Sequence, residues 1–392
     1  MKRLRFILIL LAAMLCGVTA RAAAPDTLIS VLTCSPGPEI YELVGHTALR
    51  VRTADTDSVW NYGMFDFNAP GFVYRFVKGE TDYMLGSYPF AWFLPEYAMR
   101  GSGVREQVLN LTPEETRRLY DMLQTEALPA NRTYRYNYVL DNCATRVRDR
   151  IDDALGAPVE YTDTAIYHSF RDAMRAHHTN YPWYQAGIDL ALGSGIDRPV
   201  TFREEMFAPT RLSAGLAGAR RPDGTPLVRE ERMLLPANPD AVLPPTPWWR
   251  TPLTVALIIL GLSIAVSVAD TLRRRCSVWV YAVWFFLLGL AGCLIAFLVF
   301  VSVHEATSPN ILIFWLNPLQ WLFIPGLGWR KMRKISLAVA LYDSVGLGIL
   351  LLEWPTQSQT ASPAIMVAIA ATVILAGSYA INSLFDSYNR EG

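Results

Sequence analysis

The hydrophobic pattern changes character near Arg250. Before it, apolar residues come in short runs between turn formers; after it, they come in runs long enough to cross a bilayer. Thr27–Thr33 (TLISVLT) reads as a strand, closed by the turn formers of Ser35-Pro36-Gly37-Pro38. His46–Thr53 and Ser58–Tyr62 are further strands, each short and rich in β-branched or aromatic residues. Along the first of these two, His46, Ala48 and Arg50 share one face, while Leu49 and Val51 share the other and are assigned to the core. A helix is predicted to begin at Thr112. The threonine caps it, Pro113 takes the first helical position, and Glu115 follows three residues after the cap. A second helix is predicted from Cys143 to Leu155, where Val147, Ile151 and Leu155 recur every four residues. Residues 25–155 therefore read as an α+β domain. Residues 156–247 carry weaker signals and read as a helical extension that ends in a Pro-rich linker (Leu243–Pro247). The Trp248-Trp249 pair that follows is typical of a membrane interface.

The C-terminal third, residues 252–385, reads as an all-α transmembrane domain of five helices. The candidate spans are Pro252–Ala269, Val278–Val303, Ile311–Leu327, Ile335–Leu352 and Pro363–Phe385. Asn317-Pro318 and Pro325 interrupt the third, which is the least regular, and Asn317 is expected to bond to a neighbouring helix. The loops with Arg273, Arg274, Arg275 and with Arg330, Lys331, Arg333, Lys334 are assigned to the cytoplasm. The alternate loops, His304–Asn310 and Glu353–Ser362, contain no Lys or Arg and are assigned to the side of the exported domain. At the N-terminus, Lys2, Arg3 and Arg5 precede an apolar run (Phe6–Leu15) and an A-x-A site at Ala20-Arg21-Ala22, so residues 1–22 read as a signal peptide.

Composition narrows the function. Hydrophobic residues make up 52% of the 392 positions and charged residues 18%, with 35 basic against 35 acidic. With no basic excess or stripe, a nucleic-acid partner is excluded. No Cys or His residues of the exported domain fall at metal-ligand spacing, and nothing in the chain calls for a metal or a cofactor. A serine nucleophile lacks its G-x-S-x-G setting.

The sharpest local feature is Tyr134–Asp149 (YRYNYVLDNCATRVRD). Cys143 follows two strong N-cap types, Asp141 and Asn142, and so stands in the first turn of its helix. There the backbone N–H groups and the positive end of the helix dipole favour a thiolate. Val147, four residues on, turns the sulfur inward toward the sheet. Of the histidines, His168 has no distinguishing context, and His177 and His178 are adjacent and assigned to a polar surface. His46 opens a strand after Gly45, which permits close approach, and is a candidate base. Bland readings stand beside these: Cys143 as a buried structural cysteine or as a disulfide partner of Cys34, and His46 as a satisfied strand histidine.

The blocks LTCSPGPEIYELVGHTALRV, NYGMFDF (Asn61–Phe67) and YNYVLDNCATRVRD resemble the bacterial family typified by Lnb, a lipoprotein N-acyltransferase. The resemblance runs from about Thr27 to Leu155 and, less distinctly, through WYQAGIDLALGSGID and MFAPTRL to about Leu212. The order of His before Cys is that of circularly permuted papain-like proteins. The resemblance implies a papain-like periplasmic domain in the bacterial inner membrane protein, with Cys143 as nucleophile and His46 as base. Asn61 is the candidate for the residue that orients His46, with Asp66 and Glu39 behind it. It further implies a membrane phospholipid as acyl donor and a lipoprotein as acceptor. A lipid substrate makes His304, Glu305 and Asn310 candidates for binding a phosphate or glyceryl headgroup, against the plainer reading of a polar connecting loop. Two rivals are a cell-wall cysteine amidase or peptidase and a non-enzymatic envelope-assembly protein with a Cys34–Cys143 disulfide.

Overall fold

The computed structural model describes residues 27–391 except 158 and 163, with side chains to residue 385; the expected signal peptide lies outside the described residues. A seven-stranded antiparallel sheet forms the N-terminal domain. Its strands are β1 (Leu28–Cys34), β2 (His46–Arg52), β3 (Asp57–Met64), β4 (Asp82–Pro89), β5 (Val104–Leu109), β6 (Thr133–Arg135) and β7 (Val228–Leu235), in the order β6-β4-β3-β2-β1-β5-β7. In chain order the helices used below are α1 (Phe72–Lys78), α2 (Phe90–Arg100), α3 (Pro113–Glu126), α4 (Cys143–Leu155), α5 (Phe170–His177), α6 (Pro182–Ala191), α7 (Phe202–Glu205) and α8 (Pro209–Gly218).

Both sheet faces are covered. Ile29, Val31, Leu49, Val51 and Trp60 pack under α3, α4 and α8 through Leu119, Leu123, Val147, Ile151 and Leu212. On the other face Leu32, Cys34, Ala48 and Val59 pack against Phe93 and Tyr97 of α2. Arg50 alternates onto this second face and is nearly buried. Its guanidinium bonds Asp57 at 2.6 and 2.8 Å and Glu106 at 3.1 Å, and lies 3.4 Å from the Phe90 ring centre. A charge so placed needs partners on every side, which is what these supply. The helix at Pro113 forms with its full capping box, Thr112 receiving the Glu115 N–H and Glu115 receiving that of Thr112.

Residues 156–247 are not a separate helical extension. Phe202, Met206, Leu212 and Leu216 of this segment belong to the main core, and Val228–Leu235 returns as β7 beside β5. The strand escapes a pattern reading because VREERMLL is an edge strand, largely exposed and carrying charges on both faces. Ion pairs such as Arg105–Glu231 (3.1 Å) join it to its neighbour.

Among the described residues, five helices or helical runs are long and apolar enough to cross a membrane: Pro252–Arg273, Val278–Phe300, Ile311–Gly328, Arg330–Thr356 and Pro363–Phe385. The third is broken into two 3₁₀ segments and a short α-turn, with Asn317 extended at the break. Asn317 does not bond to a neighbouring helix as expected. Its side chain accepts from Leu319 N–H (3.1 Å) and donates to the Phe314 carbonyl (3.3 Å), because the proline after it frees backbone groups that need local partners.

The loops 303–310 and 353–362 both meet the N-terminal domain. Val303 N–H donates to the Lys78 carbonyl (2.8 Å), Gly193 N–H to that of Ala306 (2.8 Å), and Thr360 Oγ1 to Asp197 (2.7 Å). The basic loops at Arg273–Arg275 and Arg330–Lys334 stand at the opposite ends of the same spans.

Candidate active site

The site lies where two strands part. β2 and β3 are paired over Leu49–Arg52 and Trp60–Asp57; nearer the start of β2 the ladder is not continued, and β3 is irregular between Asn61 and Met64. The start of α4 enters this fork. Gly63 lies against it and has the left-handed φ of +88° that glycine allows; a Cβ there would stand at ordinary contact distance, 3.9 Å from Cys143 Cβ and 3.6 Å from the Tyr136 ring. Across the fork, Gly45 (φ +83°) approaches the Cys34 carbonyl so closely that a Cβ would fall 2.4 Å from its oxygen. That turn delivers His46 to the first position of β2.

Asn142 sets the helix start. Its carboxamide oxygen accepts from the Ala144 (2.9 Å) and Thr145 (3.0 Å) N–H groups, and Thr145 Oγ1 accepts from Asn142 N–H (2.8 Å). Its Nδ2 donates to the carbonyls of Tyr138 and Phe207, each at 2.8 Å, tying the helix to the preceding loop and to the segment before α8. Asp141 holds Arg146 through two bonds of 2.6 and 2.7 Å, and Arg146 lies 3.4 Å over the Tyr134 ring. The nucleophile candidate thus starts a helix whose first turn is fixed from three sides.

Cys143 and His46 are brought together, close enough that each shifts the other's protonation. His46 Nε2 donates to Asn61 Oδ1 at 3.0 Å, which leaves Nδ1 as the ring atom for the sulfur. Burial alone would raise the Cys143 thiol, but the His46 charge, the ring hydrogen bond and the backbone N–H groups of Thr47 and Ala144 outweigh it and hold the pKa below its ordinary 9.0. For His46, burial alone would lower the pKa; the neighbouring sulfur charge and the bonds to Cys143 and Asn61 carry it above 6.5. Opposite shifts in a touching pair are the signature of a thiolate–imidazolium couple. Asp66 and Glu39 are both exposed, and Asn61 is the residue bonded to the ring.

Three contributors are not legible in the sequence: the Thr47 N–H at the sulfur, the positive-φ backbone at Gly63 and Tyr136 beside it. The first two are backbone features of a strand end, which residue types do not announce. Cys34 and Cys143 are both free thiols and sit in different core clusters. Burial against Phe93 and Tyr97 pushes the Cys34 thiol far up, so it is inert at neutral pH.

The remaining histidines are elsewhere. His178 is not on a polar surface: it is buried, with Nδ1 2.7 Å from Gln185 Oε1, and His177 is half-buried. Adjacent residues near a helix end diverge: α6 folds back over His178 through Gln185 and Tyr184, while the His177 ring lies 6.4 Å from that of Tyr167. His304 Nε2 donates to the Phe76 carbonyl (2.8 Å), fastening the loop 303–310 to α1. Asn310 is buried, donating to the Leu190 carbonyl (2.9 Å) and accepting from Gln359 (2.9 Å) and from Leu312 N–H (3.0 Å). Among the described residues, no group of three or more His, Cys, Asp or Glu side chains is gathered as a metal site needs.

Residues 18–175 match the family described as the Lnb N-terminal periplasmic domain, and residues 245–385 match the Lnb transmembrane domain. No curated protein and no solved structure matches the chain. With both halves matched in chain order, and a sheet-and-helix domain followed by five membrane-length helical runs, the chain belongs to the Lnb family of membrane proteins with a periplasmic domain.

Proposed function

We propose that the protein is a lipoprotein N-acyltransferase of the inner membrane that works through a Cys143 thioester. The observation that carries this reading is the Cys143–His46–Asn61 row at the first turn of α4, in a domain hydrogen-bonded to the ends of its own membrane spans. Cys143 thiolate attacks an ester carbonyl of a membrane phospholipid, and the C–O bond to glycerol breaks. The His46 imidazolium gives its Nδ1 proton to the departing oxygen, releasing a lysophospholipid. The α-amino group of a diacylglyceryl-cysteine at a lipoprotein N-terminus then attacks the thioester. Its proton passes to His46, and the thiolate leaves, forming the amide. The oxyanion of each tetrahedral intermediate needs N–H donors, and that of Cys143, at the helix start, is the first candidate.

The row also fits the permuted papain-like scheme, with the histidine on a strand and the cysteine at a helix start. In this reading Asn61 orients His46. His304 has Nδ1 to offer a headgroup, and Asn310, its amide engaged in holding the loop, acts by position. A cell-wall amidase would use the same pair on an amide, but it has no use for a domain seated on five spans. The test is intact-protein mass spectrometry after incubation in phospholipid vesicles. Wild type is expected to gain one acyl chain, lost on hydroxylamine treatment, and Cys143→Ala to gain none. An equal adduct on both proteins, or none on either, would overturn the thioester.

A further inference from the structure

Between the membrane spans and Cys143 runs a line of aromatic rings that the chemistry above does not use. At the membrane end, Tyr74 stands 6.0 Å from Phe297 of the second span, and Phe76 stands 6.3 Å from His304, ring centre to ring centre. Phe76 leads to Phe72 (6.0 Å) and Phe72 to Phe65 (5.7 Å). Phe65 then meets Tyr83 (4.9 Å), and Tyr83 stacks on Tyr136 at 4.2 Å. Tyr136 and Cys143 both lie against Gly63, within 4 Å of where a Cβ on that glycine would stand. The rings thus touch in sequence from bilayer level to the thiol.

This line is not an ordinary core. Tyr74, Phe76 and the flanking Phe67 are 57%, 47% and 56% exposed, and Val73 on the same helix is 73% exposed. Phe67 closes the strip on its open side, 4.4 Å from Phe65 and 5.3 Å from Phe72. The outer end of the line is thus an exposed apolar surface, which marks a binding site for something apolar, while Tyr83 toward its inner end is buried. What covers it follows from its position. α1 is fastened to the end of the second span: Ser302 Oγ donates to the carbonyls of Val77 and Lys78 at 3.0 and 3.2 Å, and Val303 N–H to that of Lys78. A short helix held there stands beside the end of a membrane-length span, where lipid is the apolar partner at hand. Arg75 and Lys78, paired with Asp82 and Glu80, keep their charges at the same level, as side chains at a bilayer interface do.

We propose that this strip is the track along which one acyl chain of the donor phospholipid is drawn out of the membrane and laid against Tyr136, placing its ester at Cys143. The occupant is an unbranched alkyl chain, for which the flat rings of Phe76, Phe72, Phe65 and Phe67 offer contact along its length. The proposal rests on the acyl-transfer reading and adds to it the path, and with the path a basis for chain-length preference.

The test uses the full chain in phosphatidylethanolamine–phosphatidylglycerol vesicles with a trace of phospholipid bearing a diazirine at the end of one acyl chain. After irradiation of Cys143→Ala, which holds donor without turnover, label is expected within residues 64–76; label confined to residues 252–385 overturns the track. In parallel, wild type and Phe67→Ser are offered long-chain and short-chain donors together. The long-to-short ratio of Cys143 acylation is expected to fall about tenfold in Phe67→Ser, the effect of losing one ring's apolar contact. An unchanged ratio overturns the track while the thioester stands. Label on the strip with no thioester in wild type would sink the acyl-transfer reading and support the strip as a lipid site.

Discussion

At the residue scale the account turns on two side chains whose protonation is set by contact, Cys143 and His46, and on Asn61, which holds the histidine. Because the Cys143 pKa is lowered and that of His46 raised, both shifts favour the thiolate–imidazolium pair. Acidification below the thiol's folded pKa removes the nucleophile, and alkalinity above the imidazolium's removes the proton donor. The pH profile of thioester formation is therefore expected to be a bell, with its acid limb below 9.0 and its alkaline limb above 6.5. Alkylation of Cys143 by iodoacetamide needs only the thiolate, so it should lose the acid limb's protons alone and stay high at alkaline pH. His46→Ala returns the thiol toward its free value, and the alkylation rate at pH 7 is expected to drop at least tenfold. A rate unchanged by that substitution would mean the pair is not coupled. Asn61→Ala removes the acceptor of the Nε2 proton, and kcat is expected to fall about 10–100-fold with KM little altered. A fall in KM affinity alone would assign Asn61 to substrate binding.

At the scale of elements, the helix that carries Cys143 was legible because its signals agree: cap residues, a four-residue apolar repeat and an amphipathic end at Leu155 all mark the same boundaries. The Asn142 cap does more than end a helix, since its amide also bonds Tyr138 and Phe207. Asn142→Ala is expected to cost at least about 2 kcal/mol, from the lost cap and the carbonyls left unpaired. Calorimetry should find a melting point several degrees lower, together with slower alkylation of Cys143. An unchanged melting point would show that the loop holds itself. The strands β1 to β3 were legible for the same reason of local agreement. β7 was not, because its charges Arg229 to Arg232 fall on both faces of an edge strand and leave no apolar face to read. The His46–Cys143 contact was legible only through family resemblance: it depends on where β2 and β3 part, a property of strand pairing rather than of either segment. His178 shows the same limit, buried by a helix that its own neighbourhood does not predict.

At the scale of the molecule, hydropathy and charge asymmetry were enough to find five spans and to put both Lys/Arg-free loops on the side of the N-terminal domain. The fastening between the two halves was not legible, because it runs through single polar residues. Arg171, wholly buried, bonds Asp189 (3.1 Å), Asp197 (2.9 Å) and the carbonyls of Leu192 and Gly193 (2.8 Å each), while Asp197 receives Thr360 from the last extramembrane loop. Arg171→Leu leaves two buried carboxylates short of a partner, at about 3–5 kcal/mol. Limited proteolysis is expected to cut the variant between residues 192 and 199, where wild type resists, and protection equal to wild type would contradict this joint. The central claim, that Cys143 hands a phospholipid acyl chain to a lipoprotein N-terminus, is tested most directly by following a diacylated lipopeptide by mass in phospholipid vesicles. With wild-type protein the lipopeptide is predicted to gain one acyl chain as an amide, and with Cys143→Ala to gain none; a lipopeptide left unchanged by wild type, or acylated equally by both, would contradict the account.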